Sequence, residues 1–271
     1  MSRNSDDHHE ETAQSTSDFN NKSVIKATML LTELGRHLEG ITVTELAQHV
    51  RLPRPTAFRL LLSLEQTGFV ERVDNKYRLG WKIARLGRLA DPYKGLISRL
   101  QPLLKGIADE LNEMIGYAVV NGEADFDLIA EAHGSRLLTL SKGYVGTEFP
   151  VHASATGKLV MAELSDDKVR KLLPAKLESL ASQTITSREA FIASLTEIRE
   201  KGYSIVDDEL EEGLFALAVA VRDTSQRLIG VLAITGPSQR MRARTIASIV
   251  DPLSATARII AGILQEGQAA N

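Results

Sequence analysis

The sequence predicts an α+β protein in two parts, a winged helix-turn-helix followed by a larger domain of strands and helices. Three observations carry this. Residues Thr42 to Leu79 read as a short helix, a tight turn, a longer helix and two short strands around a polar turn. Basic charge is gathered in the same region. From Gly116 the apolar period changes from helical to strand-like, with helices interleaved among the later strands.

Taken in order, residues 1–21 are polar, with almost nothing that could enter a core, and are expected to form a disordered tail. His8 and His9 stand beside acids there, but a solvated tail is the commoner meaning of such a pair. Residues 22–80 form the expected DNA-binding domain. Ser23 is the expected cap of a first helix carrying Val24, Ile25, Ala27, Met29, Leu30, Leu31 and Leu34, with Gly35 near its end. Thr42 and Glu45 have capping-box spacing at the start of the next helix, whose apolar side is Leu46, Ala47 and Val50. Arg51-Leu52-Pro53 makes the turn. Pro53 and Pro55 fall where a third helix begins, the place where a missing amide donor costs least, and Phe58, Leu61, Leu62 and Leu64 follow at helical spacing until Gly68. Phe69-Val70 and Tyr77–Leu79 flank Asp74-Asn75, which reads as the turn of a wing.

With the apolar side inward, Arg54, Pro55, Thr56, Ala57 and Arg59 occupy the exposed first turns of the third helix, and Lys76 sits on the wing. A forked guanidinium matches guanine edges in a major groove, and a hydroxyl or methyl meets a base or phosphate. The alternative is a helical hairpin whose arginines are simply solvated. Charge favours DNA. The net charge is −3, but residues 1–21 carry one Arg against five acids, residues 22–90 twelve basic residues against six acids, and residues 91–271 nineteen against twenty-four. The positive excess lies on the segment read as the winged helix, the footprint expected for phosphate contact.

Residues 81–91 are an expected linker helix, with Trp81, Ile83, Ala84, Leu86 and Leu89 mostly on one face. Asp91-Pro92 and Pro102 are expected to break or bend the helical region, leaving one or two helices up to Met114. Apolar residues exposed on such a linker more often form a dimer seam than a ligand site, and a dimer would set two reading heads on a pseudo-palindromic site. Residues 92–271 make the second domain. Ala118–Val120 and Asp127–Ala130 flank Asn121-Gly122 as a hairpin, and Arg136–Leu140 is a third strand. A helix capped by Ser154 follows, then helices near 165–173 and 187–201, the second opened by Ser187 and ended by Gly202. Strands return at Tyr203–Val206, Phe215–Val221 and Leu228–Thr235, and the last helix spans about 242–264.

The absence of cysteine excludes disulfides, thiolate nucleophiles and Cys-ligated zinc, and fits a reducing cytoplasm. No signal-peptide core is seen at the N-terminus, and no segment reads as approaching the roughly 20 apolar residues of a membrane span. His152 and Ser154 are two apart, and Asp207 to Glu212 supply carboxylates, so a small-molecule hydrolase, or a ligand-binding protein with an N-terminal assembly domain, is the competing reading. Against it, a Ser at the first turn of a helix is usually a cap, and no G-x-S-x-G elbow is present. The DDELEE run reads as a solvated acidic edge rather than a metal cluster. No catalytic residue, metal or cofactor is expected.

Four segments in order, LPRPTAFRLLLSLEQTGFV, FPVHASATGKLVMA, GYSIVDDELEEGL and AITGPSQRM, resemble the IclR family of bacterial transcriptional regulators from about Ser23 to Leu264. The resemblance implies a winged helix, a linker helix and a GAF-like effector-binding domain. It also implies a homodimer or dimer of dimers that represses, or else activates, a catabolic operon by binding a double-stranded DNA operator under control of a small organic acid. The implied pocket residues are Ala155, Thr156, Gly157, Asp207, Leu214, Ala216, Ala233 and Thr235; Leu138, Leu140, Tyr144 and Phe149 are inferred to line it too, with ordinary core packing the equal alternative for each. Amide donors at the N-terminus of the Ser154 helix suit a carboxylate there. Ala216 and Ala233 stand where the family commonly has Cys and Ser, which implies a more apolar floor, favouring an aromatic or hydrocarbon-bearing acid.

Overall fold

The computed structural model describes residues 21–90, 95–135, 144–145 and 149–269. The expected tail up to residue 20, the Asp91-Pro92 break and the strand at Arg136–Leu140 lie outside them. The chain divides into two compact units, residues 1–92 and 93–271.

The first unit runs α1 (Lys22–Gly35), β1 (Ile41–Thr42), α2 (Val43–His49), α3 (Arg54–Gln66), β2 (Val70–Val73), β3 (Lys76–Leu79) and α4 (Trp81–Ala90). The cap of α1 is Asn21 rather than Ser23, because the amide oxygen of Asn21 accepts from both Ser23 N and Val24 N and so starts the helix earlier. The capping box of α2 is present: Glu45 N donates to Thr42 Oγ1 and Thr42 N to the Glu45 carboxylate. The wing turn is Asp74-Asn75, with Asp74 at φ +56 and Val73 paired with Lys76. The two-residue β1, which the sequence reading did not foresee, adds to β3 and gives the order β1-β3-β2. Leu30, Leu34, Leu46, Leu61 and Tyr77 fill the core. Along α4, Trp81, Leu86 and Leu89 remain exposed.

The second unit contains α5 (Leu96–Leu111), β4 (Met114–Gly122), β5 (Asp125–Ala132), α6 (Ala155–Ala162), α7 (Asp166–Leu172), α8 (Arg188–Lys201), β6 (Tyr203–Asp207), β7 (Leu214–Arg222), β8 (Leu228–Pro237), α9 (Ser238–Arg242) and α10 (Ala247–Ala269). Pro102 sits within α5 without ending it. It and Ser98, whose carbonyl loses its helical donor, are solvent-exposed, while Leu100, Leu104, Ile107 and Leu111 pin the opposite face. The hairpin turn falls at Glu123-Ala124, with Ala124 at φ +57, two residues beyond the expected Asn121-Gly122, because β4 stays paired as far as Gly122. Ser154, Ser165 and Ser187 cap α6, α7 and α8 through their hydroxyls, and Gly202, at φ +75, closes α8.

All pairings in the five-stranded sheet, ordered β5-β4-β8-β7-β6, are antiparallel. Side chains alternate across it. Ile115, Leu217 and Ile234 meet α5 and α10 on one face, and Ala216, Ala218 and Val231 meet α6 on the other. Two expectations are corrected here. Over Ala247–Gln265, α10 is by length and composition apolar enough to cross a membrane; one face, carrying Ile249, Leu253, Ala257 and Ile260, is buried against the sheet. The acidic run is a solvated edge only at Glu211 and Glu212, which are exposed. Asp207 and Asp208 hold Arg242, Glu209 pairs with Lys158, and Glu212 accepts from Ser182 N at 2.6 Å.

Candidate nucleic-acid interface and ligand pocket

Pro53 precedes α3, and the helix presents Arg54, Pro55 and Arg59 to solvent, with Thr56 half-buried. Arg54 Nε donates to Thr44 Oγ1 at 3.2 Å, which ties the start of α3 to the first turn of α2 and fixes the direction of the guanidinium fork. Ala57 does not belong with them. It is completely buried, on the same stripe as Leu61, so its methyl meets the core and reaches no groove. The inward side of α3 is therefore Ala57, Leu60, Leu61 and Leu64, whereas Phe58 and Leu62, expected in the core, are each more than a third exposed. Lys76 is exposed next to the wing turn. Two exposed cations were missed by the sequence reading: Arg51 in the turn at φ +52, and Arg72 on the wing, lying 5.5 Å from the centre of the Tyr77 ring. Arg78 is taken up by Glu71 at 3.2 Å.

On the α6 face of the larger sheet lies a pocket of about 520 Å³, including its open mouth. Ala155 and Thr156 come to it from the first turn of α6, Leu214 and Ala216 from β7, Ala233 and Thr235 from β8, and Phe149 from the preceding segment. These seven were expected. Tyr144 joins them, its ring centre 5.6 Å from that of Phe149, and burial, then the charges of Glu211 and Glu131, push its hydroxyl above the usual phenol range. Leu138 and Leu140 lie outside the described residues.

Two expected residues do not line the pocket. On β6 it is Val206 that does, so Asp207 points the other way, where Arg242 Nε and Nη2 each donate to it at 2.8 Å. The amide of Gly157 is taken by the Ser154 hydroxyl at 3.1 Å, and a Cβ there would lie 2.5 Å from Val151 Cα, so this glycine serves the packing of the helix start. Met114, Gly116, Leu128 and Leu210 also line the wall and were missed. The signal for the first two was available, since Met114 and Gly116 share one face of β4 by strand alternation.

Among the described residues, the lining side chains apart from Ser154, Thr156, Thr235 and Tyr144 are apolar. Ser154 caps Gly157, and Ala155 and Thr156, the first two residues of α6, line the pocket at the positive end of that helix. One turn on, Lys158 Nζ lies 2.5 Å from Glu209 Oε1 and donates to the Ile205 carbonyl at 3.2 Å, both side chains nearly buried. Burial pushes the Glu209 carboxyl above its usual range, against the pull of Lys158. His152 and Ser154 serve backbone carbonyls: His152 Nε2 lies 2.9 Å from the Glu178 carbonyl, and Ser154 Oγ donates to the Pro150 carbonyl at 2.9 Å. Below the sheet end, Arg240 clamps Glu113 with two bonds of 2.6 Å. A Cβ at Gly236 would lie 2.8 Å from the same carboxylate, so the glycine leaves it room.

Comparison with known proteins gives matches over both units. A family model described as bacterial transcriptional regulator IclR C-terminal matches residues 93–261, and one described as IclR helix-turn-helix domain matches residues 23–74. The chain is 29% identical over 225 residues to the transcriptional repressor IclR of Escherichia coli (strain K12), covering 81% of each. It is 31% identical over 243 residues to the HTH-type transcriptional regulator KdgR of the same organism, covering 88% of this chain and 90% of that one. Among solved structures, an IclR homolog of Microbacterium hydrocarbonoxydans complexed with 4-hydroxybenzoate superposes with a TM-score of 0.68 at 20% identity, over 89% of this chain and 99% of the other.

Proposed function

Because the chain belongs to the IclR family of bacterial transcriptional regulators, we propose that it represses a catabolic operon and is released by a small organic acid with an aromatic or hydrocarbon body. The observation that carries the ligand class is the pocket itself: amide donors at the start of α6 beside walls made of Met114, Leu128, Val206, Leu210, Leu214, Ala216 and Ala233. A carboxylate meets the Ala155 and Thr156 amides and the Thr156 hydroxyl, and the apolar remainder lies against the alanines of β7 and β8. The similar Microbacterium protein was solved with an acid of this class. On the DNA side, Arg54 and Arg59 read base edges in the major groove, Thr56 and Pro55 border the backbone, and Lys76 meets phosphate from the wing.

The protein works in the cytoplasm as a homodimer or dimer of dimers, and the exposed Trp81, Leu86 and Leu89 of α4 are the seam. An effector that binds one arrangement of the assembly more tightly than the other shifts the operator-competent population, with a coupling of about 1–3 kcal/mol. A thermal-shift screen tests the ligand class by mass action. Aromatic monocarboxylates are expected to raise Tm, their neutral amides and a two-carbon oxoacid to do little, and Ala233→Leu, which fills the floor, to abolish the response while operator binding survives. A response to the two-carbon acid equal to that for the aromatic ones would reject the ligand class.

A further inference from the structure

Glu33 lies in the last turn of α1, His37 follows two residues past the helix end, and His49, the last residue of α2, reaches the same point from the neighbouring helix. Glu33 Oε1 lies 3.0 Å from His37 Nε2 and 2.8 Å from His49 Nδ1, and the two imidazole centres are 5.3 Å apart. One ligand atom from each of the three residues thus lies within 4.8 Å of the other two. Two imidazoles and a carboxylate are a donor set suited to zinc and its divalent neighbours, which bind such atoms at about 2.0–2.2 Å. Tetrahedral bonds of that length separate ligand atoms by about 3.3 Å, so the two distances from Glu33 Oε1 would open by about 0.3–0.5 Å to admit an ion, and the two imidazole nitrogens already lie within 4.8 Å of each other.

The surroundings fit. The Glu33 side chain is 13% exposed, and Arg36 Nη1 holds its other oxygen at 3.0 Å, which turns Oε1 toward the histidines. His37 and His49 are 27% and 48% exposed, leaving an open side by which an ion enters and on which water completes the coordination. No sequence motif announces this set, because His49 arrives from a different helix.

We propose that Glu33, His37 and His49 form a divalent transition-metal site of the zinc type, clamping the end of α1 to the end of α2. The clamp lies directly before the Val50–Pro53 turn that launches α3, so occupancy stiffens the frame on which the third helix is mounted.

The test uses the full chain with His8 and His9 both replaced by Ala, so that the N-terminal histidine pair contributes nothing. Zn²⁺ is expected to raise Tm, and Co²⁺ to give visible bands of a protein-bound ion that Zn²⁺ abolishes. His37→Gln and His49→Gln, each checked for native circular dichroism, should weaken binding of both metals at least about tenfold, because even loss of an outer-shell partner costs about 10–100-fold. Glu33→Gln, which keeps an acceptor for both imidazoles but loses the anion, should weaken it too. No response of the parent to either metal, or the same response in both histidine variants as in the parent, overturns the proposal.

Discussion

Gly157 sets two physical effects against each other, and the structure decides the sign. In the interior of a helix, Gly→Ala ordinarily stabilises by about 1 kcal/mol, because alanine loses less backbone freedom on folding. At Gly157 the added methyl would lie 2.5 Å from Val151 Cα and 2.6 Å from both Ser154 Oγ and the Val151 carbonyl oxygen. Two of those three atoms are backbone and cannot swing aside. Displacing them costs about 1–3 kcal/mol, and losing the Ser154 cap on this helix start costs about 1 kcal/mol more. The expected balance is a loss of about 2 kcal/mol. For a unit of this size that lowers Tm by about 4–8 °C. Gly106 in α5 is the internal control, since it is exposed and a Cβ there meets nothing within 4 Å. Gly106→Ala should therefore raise stability by close to 1 kcal/mol. Urea unfolding followed by circular dichroism reads both. A Gly157→Ala variant as stable as the parent, or more so, would refute the packing argument.

Three further outcomes are expected. Arg54→Ala and Arg59→Ala should each weaken operator binding by about 1–3 kcal/mol if they contact bases, with the fold unchanged; equal gel-shift titrations at fixed salt would remove them from the reading surface. Arg240→Ala leaves the Glu113 carboxylate, 3% exposed, without its two bonds and should cost about 3 kcal/mol, while Arg240→Met with Glu113→Leu recovers much of it in thermal unfolding; a mild single variant would contradict this. The Ser238 hydroxyl and then Arg242 hold the Asp208 carboxyl below its ordinary value of 3.8. A folded pKa lowered in this way contributes stability above the unfolded value that is lost as pH falls through the folded one. Arg242→Ala should accordingly move the acid-unfolding midpoint to higher pH, and an unmoved midpoint counts against the role assigned to this pair.

Most local hydrogen bonds were legible in the sequence because both partners lie within a few residues, the Asn21 cap of α1 being the exception, since Ser23 two residues on is an equally good capping residue. Thr42 with Glu45, and the caps at Ser154 and Ser187, are of the legible kind. What depended on distant partners was not. Helical spacing admits a stripe through Phe58 and Leu62 or one through Ala57 and Leu61, and only the packing of α1 and α2 against α3 selects the second. Size misled as well, since alanine carries little apolar signal although its position is as fully buried as that of Leu61. The choice between Val206 and Asp207 turns on a single residue of strand register. Arg242 lies 35 residues from Asp207 and Arg240 lies 127 from Glu113, so neither carboxylate's partner could be read from its neighbourhood. The pocket was half legible for the same reason: its α6 and β8 residues sit in compact motifs, whereas Leu128 is brought in by pairing across β4.

The sheet of the second unit is one residue thick, and that dimension governs how news of a bound ligand can spread. Gly116, Ala216 and Ala233 face the cavity, while their immediate neighbours Ile115, Leu217 and Ile234 bear on α5 and α10. Any guest that spreads β4 from β8 by the width of a methyl group tilts Ile115 and Ile234 in the same movement. Such a shift would alter the surface on which α5, the first helix after residue 93, is packed. Cavity and helices would thus be linked by nothing more than the strands whose two faces they share.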